Sequence, residues 1–320
     1  MKVLVTGGEG FVGRHLTGLL AEQGCDVTAT ALELEGADRP VEKDQSPATW
    51  RALDVLDRGR VNETIALVGP DVIFHLAGFS SGAEARERSA EALRTNAEGT
   101  LNVLEGAARE APHARVVVAG SADVYGDSGG SLLDEEAEVR PIGPYGLSKA
   151  AQELVACSVG DSQGTDVVVA RMFPLVGPGQ GAAFVVPSLC RQAAQILRKQ
   201  ADPVLRVGNI DVERDFTHVR DGVRALWALG SLDTPRHRIY NVCSGTVTSI
   251  RTILEWIVEM AGIEPEIVVD DARVRSEDPL RIVGSSARLC AETGWRPGLD
   301  VRDAVRETYR WVERSVVEVG

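Results

Sequence analysis

Residues 3–13 read VLVTGGEGFVG, which places a cluster of glycines directly after an apolar run. The run Val3–Val5 predicts a short buried strand, and the amphipathic stretch from Phe11 to about Gln23 predicts a helix. A strand, a glycine-rich turn and a helix in this order build a site in which backbone N–H groups at a helix N-terminus face a phosphate. The sequence therefore predicts a phosphate-binding turn at the start of a parallel sheet.

The glycines of this turn follow the spacing G-x-x-G-x-x-G, with Gly7, Gly10 and Gly13 at the repeated positions. Gly7 allows the tight turn, Gly10 lets the backbone approach a pyrophosphate closely, and Gly13 lets the helix lie near the strand. The alternative is a turn with a purely structural role. The position between a strand and a helix favours a dinucleotide site.

Short apolar runs alternate with helix-length segments through the first half of the chain, which predicts an α/β fold with a doubly wound parallel sheet. The apolar runs are at residues 27–31, 71–77, 115–120 and 165–171, and the helical segments are at about 90–111 and 145–158. A polar loop is expected between the second strand and about Trp50.

The pattern changes after Phe173, where proline and glycine interrupt regular structure. Further helices are expected at about 185–199, 249–261 and 301–313, with one more strand at 238–242. We expect a cofactor-binding domain of residues 1–173 plus about 215–243. The remaining segments, about 174–214 and 244–320, are expected to form a smaller, discontinuous α/β lobe that binds the substrate.

Composition excludes several classes of protein. The chain has 320 residues and a net charge of −13, which argues against a nucleic-acid-binding protein because such proteins present basic surfaces. We find no apolar run near the ~18–20 residues that span a bilayer and no signal-peptide pattern, so we expect a cytosolic protein without a membrane partner. The five cysteines and five histidines are dispersed, so no metal site is expected.

A second candidate site combines Tyr145 and Lys149 with Ser121. The four-residue spacing puts Tyr145 and Lys149 on one face of a predicted helix. A nearby ammonium would favour the tyrosinate, so that Tyr145 could exchange a proton with a carbonyl or alcohol oxygen near neutral pH. Ser121 ends a predicted strand and could hydrogen-bond the same oxygen. The alternative is a surface lysine beside an amphipathic tyrosine.

Together these motifs resemble the extended short-chain dehydrogenases/reductases that act on nucleotide sugars, over nearly the whole chain. Within that group the chain is most similar to the GDP-4-keto-6-deoxy-D-mannose reductases (GDP-6-deoxy-D-mannose reductases), close relatives of GDP-mannose 4,6-dehydratase. The resemblance implies a Rossmann-type fold. The matching segments are TGGEGFVG at 6–13, DVIFHLAG at 71–78, NAEGTLNVLEGA at 96–107, SADVYG at 121–126, PYGLSK at 144–149, VGPGQG at 176–181, ERDFTHVRD at 213–221 and YNVCSG at 240–245.

The resemblance also implies roles for individual residues. Ser121, Tyr145 and Lys149 match the catalytic triad of the superfamily, with Asp123 as a further catalytic candidate. Arg214 would reach the diphosphate of the substrate. The alternative for this residue is an ion pair at the surface with Glu213 or Asp215. The cofactor contacts implied are Gly7, Gly10, Phe11, Val12, Gly13, Thr30, Asp54, Val55, Leu76, Ala77, Gly78, Tyr145 and Lys149. The substrate contacts implied are Ser121, Tyr145, Arg214, Arg275 and Glu277.

The second strand leaves the choice between NADP and NAD open. Relatives that prefer NAD end this strand with an aspartate that accepts from the ribose hydroxyls, but this chain has Ala31 there. Reductases that prefer NADPH often place an arginine one residue later, where this chain has Leu32, and nearby Glu33 could take the acidic role. Thr30 matches the NADPH type, which gives a small preference for NADPH.

Two further departures bear on the substrate and the reaction. The dTDP-glucose 4,6-dehydratases carry an Asp-Glu pair where this chain has Ala122 and Asp123. Asp123 could act as the base of a dehydratase, or it could be a turn carboxylate. Pro174 stands where the resemblance places an asparagine that contacts the substrate phosphate, so one substrate contact is lost or replaced.

The expected function is the NAD(P)H-dependent reduction of the C4 keto group of a GDP- or dTDP-linked 4-keto-6-deoxyhexose. The alternatives are a nucleotide-sugar 4,6-dehydratase or 4-epimerase with a tightly bound cofactor and, more remotely, a non-catalytic nucleotide-binding protein. The resemblance also implies a homodimer paired through the helices at about 90–111 and 145–158, and a two-fold dimer is the commonest assembly in any case.

Overall fold

The computed structural model describes residues 1–33, 48–274 and 279–317. The first half of the chain contains β1 (Lys2–Thr6), α1 (Phe11–Glu22), β2 (Asp26–Ala31), β3 (Thr49–Ala52), α2 (Arg58–Val68), β4 (Val72–His75), α3 (Gly82–Glu87), α4 (Ser89–Glu110), β5 (Arg115–Ser121), β6 (Leu132–Leu133), α5 (Gly143–Gln163) and β7 (Val167–Met172).

The second half follows with one short strand and then alternates helices and strands. It contains β8 (Leu175–Val176), α6 (Val185–Leu197), β9 (Val204–Val207), β10 (Glu213–Arg214), β11 (Thr217–His218), α7 (Val219–Gly230), β12 (Ile239–Val242), β13 (Thr248–Ser249), α8 (Ile250–Ala261), β14 (Glu266–Val269), β15 (Arg281–Gly284), α9 (Ala287–Thr293) and α10 (Val301–Val317). Single 3₁₀ turns follow β5 at Ala122–Val124 and β14 at Asp271–Arg273.

Seven parallel strands form the main sheet, in the order β12-β7-β5-β4-β1-β2-β3. The chain starts at β1 in the interior and winds outward in both directions, which is the Rossmann-type arrangement expected from the sequence. In β5 every residue except Ala119 is buried, because helices cover both faces of the sheet. The reversal of strand order between β1 and β4 places the carboxyl ends of both strands beside the glycine-rich turn.

Helices pack on both faces of this sheet. On one face Leu16 and Leu20 of α1 pack with Leu226 of α7. On the other face α2, α4 and α5 contribute a second apolar cluster that includes Val61 and Leu104. In the part of the chain that the structure describes, no helix is both long and apolar enough to cross a bilayer.

A smaller sheet lies outside the main one and has the order β13-β10-β15-β6. Its strand β6 comes from the loop between β5 and α5, and β6 runs parallel to β15. The helices α6, α8 and α10 enclose the core of this second part, where Leu189, Ile253 and Val305 are buried. The strand pairs β8–β11 and β9–β14 are both parallel and complete the region.

Three of the departures from the sequence-based expectations concern β3, α2 and α5. The polar loop was expected to extend to about Trp50, but strand β3 begins at Thr49. Helix α2 was not identified from the sequence. Helix α5 continues past the expected end near Ser158 and stops at Gly164, which has a φ of +68°. A mixed sequence such as TWRA carries little strand signal of its own, because its pairing with β2 supplies the stabilisation.

A buried ion pair joins α5 to β7. The Arg171 guanidinium donates from Nη2 and Nε to the two carboxylate oxygens of Glu153, at 2.6 and 2.8 Å. Its Nη1 donates to the hydroxyl of Tyr125 at 2.7 Å, and that hydroxyl donates to Oδ1 of Asn241 at 2.6 Å. These contacts tie the turn after β5 to β7 and β12, so they hold the carboxyl edge of the sheet together.

Breaking this ion pair should destabilise the fold. We expect Glu153→Gln to lower the free energy of unfolding by about 3–5 kcal/mol, because it leaves a buried guanidinium uncompensated. The double variant Glu153→Leu with Arg171→Met should recover much of that loss, since it removes both charges. Urea unfolding followed by circular dichroism measures both values. As a control, Glu98→Gln breaks an exposed pair with Arg94 and should leave stability unchanged. Equal values for E153Q and E98Q would contradict the prediction.

Candidate active site

The glycine-rich turn forms a cradle at the N-terminus of α1. Gly7 has a φ of +70°, which favours glycine, and a Cβ at Gly13 would lie 2.4 Å from the Gly7 carbonyl oxygen. Gly10 is the N-cap residue of α1, and no side chain caps this helix end. The first-turn N–H groups and the helix dipole are therefore available to an anion. This cradle fits the pyrophosphate of a dinucleotide cofactor.

The segment after β4 forms the opposite wall of this cradle. A Cβ at Gly7 would lie 2.7 Å from the backbone nitrogen of Ala77, so the two backbones are in contact. Leu76 and Ala77 are partly buried, and Gly78 is exposed with a φ of +148°. On the other side, the partly buried Phe11 lies beside Gly177. The structure thus brings these predicted cofactor residues to one cleft.

Three other predicted cofactor residues lie around β2 and the segment after β3. Thr30 is buried, and its hydroxyl has no hydrogen-bond partner. Asp54 is exposed, with Oδ1 accepting from the Leu56 N–H at 2.9 Å. Val55 is buried against Gly99 of α4, so its side chain faces the core rather than the cleft. Of these three, only Asp54 presents a freely accessible side chain.

Glu9 is a residue of the glycine-rich turn that the sequence analysis did not single out. Its Oε1 accepts a hydrogen bond from the backbone N–H of Leu32 at 3.1 Å. This places a carboxylate at the end of β2, directly after the buried Ala31 and beside the exposed Glu33. In a dinucleotide fold this position faces the adenosine ribose. Glu9 therefore supplies a carboxylate at the end of β2, where the strand itself has no acidic residue.

The predicted catalytic residues come together at the carboxyl edge of the main sheet. Ser121 ends β5, Tyr145 lies in the first turn of α5, and Lys149 follows one turn later. A Cβ at Gly146 would lie 2.8 Å from the Asp123 carbonyl oxygen, so glycine lets α5 pack directly on the turn after β5. A hydrogen bond joins the side chains of Ser121 and Tyr145. The arrangement can donate a proton to an oxygen bound between them.

The protonation states of these residues follow from their burial. Burial raises the pKa of the Tyr145 phenol well above its ordinary value, the charge of Asp123 raises it further, and the hydrogen bond to Ser121 opposes both. The expectation that the Lys149 ammonium favours the tyrosinate stays a prediction. Burial lowers the pKa of Lys149 to about 8, although the charge of Asp123 favours the ammonium. At neutral pH Tyr145 holds its proton.

Asp123 lies in the 3₁₀ turn after β5 and is exposed. Its backbone N–H donates to the hydroxyl oxygen of Ser121 at 3.1 Å, which fixes that side chain. Its carboxylate acts electrostatically on both Tyr145 and Lys149. The residue therefore lies at the edge of the catalytic group, where a carboxylate could exchange a proton with a bound substrate.

Behind Lys149 lies a chain of buried polar side chains that the sequence analysis did not identify. It runs from Lys149 through Gln152, Thr100 and His75 to Thr6. The available signal was a glutamine three residues after the lysine, on the buried face of α5. Such a residue needs a partner, but only the fold shows which partner it has.

The predicted substrate residues are more dispersed. Arg214 lies on β10 of the smaller sheet and donates from Nη1 to the Glu213 carbonyl at 2.9 Å. Asp215, its sequence neighbour, is buried and accepts from the N–H groups of Ser244, Gly245 and Gly284. Ser121 and Tyr145 lie at the main sheet. The predictions for Arg275 and Glu277 fall outside the described residues.

The loop after β8 connects the two parts of the protein. His15 of α1 donates from Nε2 to the carbonyl of Pro178 at 2.8 Å. Pro174, which replaces the expected asparagine, accepts the Thr217 N–H at 2.8 Å through its carbonyl. A proline side chain has no hydrogen-bonding group, so it cannot make the substrate contact that the resemblance implies for an asparagine here. The Pro174 carbonyl still links the start of β8 to β11.

Comparison with known proteins matches this geometry to a family. The model of the GDP-mannose 4,6 dehydratase family matches residues 4–308. The chain belongs to this family. It is 35% identical over 312 residues to GDP-6-deoxy-D-mannose reductase from Pseudomonas aeruginosa, covering 95% of each protein. It is 30% identical to dTDP-glucose 4,6-dehydratase from Streptomyces niveus, covering 97% of this chain and 92% of that protein.

Solved structures of family relatives agree with the fold. The structure of RMD from Pseudomonas aeruginosa complexed with NADPH matches with a TM-score of 0.82 and 32% identity, covering 98% of this chain and all of that one. The extended short-chain dehydrogenase fold expected from the sequence is therefore confirmed. The chain has the cofactor cradle of a fold whose relatives bind NADPH or NAD.

Two glycines of α1 provide a matched test of the cradle. We expect Gly13→Ala to weaken NADPH binding at least tenfold, because its Cβ would displace the Gly7 carbonyl and distort the turn. Gly18→Ala lies in the same helix with no atom within 4 Å of the new Cβ. It should bind NADPH normally and be up to about 1 kcal/mol more stable. Fluorescence titration and thermal melting measure both quantities, and equal affinities would refute the assignment.

Proposed function

We propose that the protein reduces the C4 keto group of a nucleotide-linked 4-keto-6-deoxyhexose, with NADPH or NADH as the reductant. The observation that carries this proposal is the grouping of Ser121, Tyr145 and Lys149 at the carboxyl edge of the main sheet, in a chain 35% identical to GDP-6-deoxy-D-mannose reductase. A reductase needs a proton donor at this position. The higher identity to the GDP-sugar reductase, 35% against 30% for the dTDP-glucose dehydratase, favours a GDP-linked sugar over a dTDP-linked one.

The proposed mechanism gives Ser121, Tyr145 and Lys149 different tasks. The cradle of Gly7, Gly10 and Gly13 would hold a reduced nicotinamide dinucleotide, which would supply the hydride for C4. Ser121 donates a hydrogen bond to the C4 carbonyl oxygen and polarises it. Tyr145 then transfers its phenolic proton to that oxygen, so one hydride and one proton convert the ketone to an alcohol. The Lys149 ammonium stabilises the resulting tyrosinate and holds the nicotinamide ribose.

The sugar enters from the side of the smaller lobe in this proposal. Arg214 would bind the diphosphate, because its guanidinium suits bidentate recognition of phosphate oxygens. We keep residues 1–173 plus about 215–243 as the cofactor-binding part and the remaining segments as the substrate-binding part. The negative charge of the Glu9 carboxylate at the end of β2 would repel the 2′-phosphate of NADPH and so favours NADH. The relative complexed with NADPH favours NADPH. Both cofactors therefore belong in the assay.

The reduction can be followed at 340 nm with NADPH or NADH. The substrate, GDP- or dTDP-4-keto-6-deoxyhexose, is generated in the cuvette by a dehydratase. We expect oxidation of the cofactor with one of the two sugars, and Tyr145→Phe should slow it by about 10²–10⁴-fold because the proton donor is gone. The variant should keep its melting temperature and its affinity for the cofactor. Conversion of a nucleotide hexose without added reductant would rule the reductase out.

A 4,6-dehydratase or a 4-epimerase is the second candidate. The carboxylate of Asp123 beside Tyr145 and the name of the matching family favour the dehydratase. Both reactions return the hydride to the sugar, so neither consumes the cofactor. Incubation of GDP-mannose with the protein and catalytic NADP or NAD distinguishes these two reactions from the reduction of a ketone. Asp123→Asn should abolish a dehydratase while leaving ketone reduction largely intact.

We also propose that the protein is a homodimer paired through α4 and α5. These two helices pack side by side on one face of the sheet, and their outer surfaces expose Leu93, Leu147 and Leu154 at 41, 54 and 71%. Leu147 and Leu154 are seven residues apart and so lie on one helix face. An exposed leucine stripe of this kind is covered at low cost by a second copy in a two-fold arrangement.

A charged residue in this stripe should separate the dimer. We expect wild-type protein to sediment as a dimer at micromolar concentration and Leu154→Glu to sediment as a monomer, because it buries carboxylates at the two-fold interface. Leu67→Glu replaces a similarly exposed leucine on α2 and should remain dimeric. Analytical ultracentrifugation distinguishes these cases. A monomeric wild type, or a dimeric L154E, would show that these helices do not form the interface.

A further inference from the structure

The ammonium of Lys149 is held by two acceptors on the protein. Its Nζ donates to the Ala119 carbonyl and to Oε1 of Gln152, each at 2.9 Å. Lys149 is 7% exposed, so few other acceptors can reach it. An ammonium has three N–H groups, and these two contacts leave one for a ligand in the cleft. Ala119 fixes one direction through the backbone, and Gln152 fixes the other through a side chain.

The orientation of the Gln152 amide is determined by its second partner. Its Nε2 donates at 2.9 Å to the hydroxyl oxygen of Thr100. The Thr100 hydroxyl already gives its own proton to the Asn96 carbonyl at 2.7 Å, so its oxygen can only accept. In a flipped amide, the amide nitrogen would face the Lys149 ammonium, so that a donor would meet a donor. The amide oxygen would face the hydroxyl oxygen of Thr100, so that an acceptor would meet an acceptor. Gln152 therefore has to present its oxygen to the lysine.

The same reasoning extends to the first residue of the glycine-rich turn. Nε2 of His75 lies 2.9 Å from the Thr100 oxygen and must carry the proton, so Nδ1 accepts from the Thr6 hydroxyl at 2.7 Å. Burial lowers the pKa of His75 to about 3, which keeps the ring neutral. The side chains of Gln152, Thr100, His75 and Thr6 are all buried. The network has one self-consistent pattern of donors from the turn to the lysine.

We propose that Gln152 is a positioning residue that holds the Lys149 ammonium in the cleft, with one N–H directed to the ribose of the bound dinucleotide. The amide oxygen orients the ammonium without a formal charge. A carboxylate at the same place would form an ion pair, and an apolar side chain would leave the ammonium with one fixed partner. The inference rests on the proposed function only through the cofactor and is independent of which sugar is reduced.

Three titratable side chains lie around Lys149. Asp123 comes from the turn after β5, Tyr145 from α5 itself and His75 from β4. Between pH 7 and 10 His75 stays neutral, and Tyr145 keeps its proton because its pKa is raised. Lys149, with a pKa of about 8, is the group of this set that loses its charge in that range.

The affinity for NADPH between pH 7 and 10 tests the proposal, because it needs no sugar substrate. In the wild type we expect the dissociation constant to rise as the pH passes about 8 and Lys149 loses a proton. Gln152→Glu should move this rise to higher pH by about one unit, since an added carboxylate stabilises the ammonium. Gln152→Met should move it to lower pH and weaken binding at pH 7 by about tenfold.

A variant elsewhere separates positioning from general loss of stability. Thr308→Val removes a buried hydroxyl of α10 that donates to the Ala304 carbonyl and is not part of the network that holds Lys149. It should lower the melting temperature and leave the pH dependence of NADPH binding unchanged. Movement of the pH dependence in opposite directions for Q152E and Q152M supports the proposal. An unchanged pH dependence in both variants, or the same shift in both and in T308V, overturns it.

A failed sugar reduction has a separate signature from a failed positioning role. If the protein does not reduce a 4-keto sugar, the assay at 340 nm is negative while the NADPH titrations still respond to Gln152 substitutions. If Gln152 does not position Lys149, the titrations stay unchanged while the wild type still reduces its sugar. In the second case the amide would serve only to satisfy the buried hydroxyl of Thr100.

Discussion

The backbone contact between Gly7 and Gly13 is the constraint from which the active site is built. Because no Cβ separates them, the N-terminus of α1 lies directly against the turn after β1. The same turn contacts the segment after β4 through Ala77, where the order of strands in the sheet reverses. One close approach therefore aligns the two strand ends and the helix dipole on a single cleft, and any side chain at Gly13 would separate them.

The catalytic residues depend on a second close approach, that of α5 to the turn after β5. Gly146 permits it, and the buried pair of Arg171 and Glu153 fixes α5 to β7 from behind. Ser121 and Tyr145 then meet without help from the smaller lobe. Ser121, Tyr145 and Lys149 all belong to the main sheet and its helix, whereas the proposed function assigns substrate binding to the smaller lobe. This division agrees with relatives that share a fold but differ in the reaction named for them.

The sequence predicted the glycine-rich turn, the grouping of Ser121, Tyr145 and Lys149 and most of the main sheet, because each has a local signature. The run RVVVAG is apolar enough to predict β5, and Tyr145 and Lys149 stand four residues apart. The two-residue strands β6, β10 and β13 could not be predicted, since they are stabilised by pairing with distant segments. Gln152 and Glu9 were missed for a similar reason. Each is hydrogen-bonded to a partner that only the fold brings to it, Lys149 and Leu32 respectively.

Strand β6 has a consequence for protein engineering. It leaves the catalytic loop after Ser121 and joins the smaller sheet beside β15, while β12 returns from the second half of the chain to complete the main sheet. A chimera that joins the first 173 residues to the remainder of a relative would therefore combine strands of different parents in both sheets. Exchange of sugar specificity between family members would need grafts of single loops and side chains, because neither lobe is a transferable module.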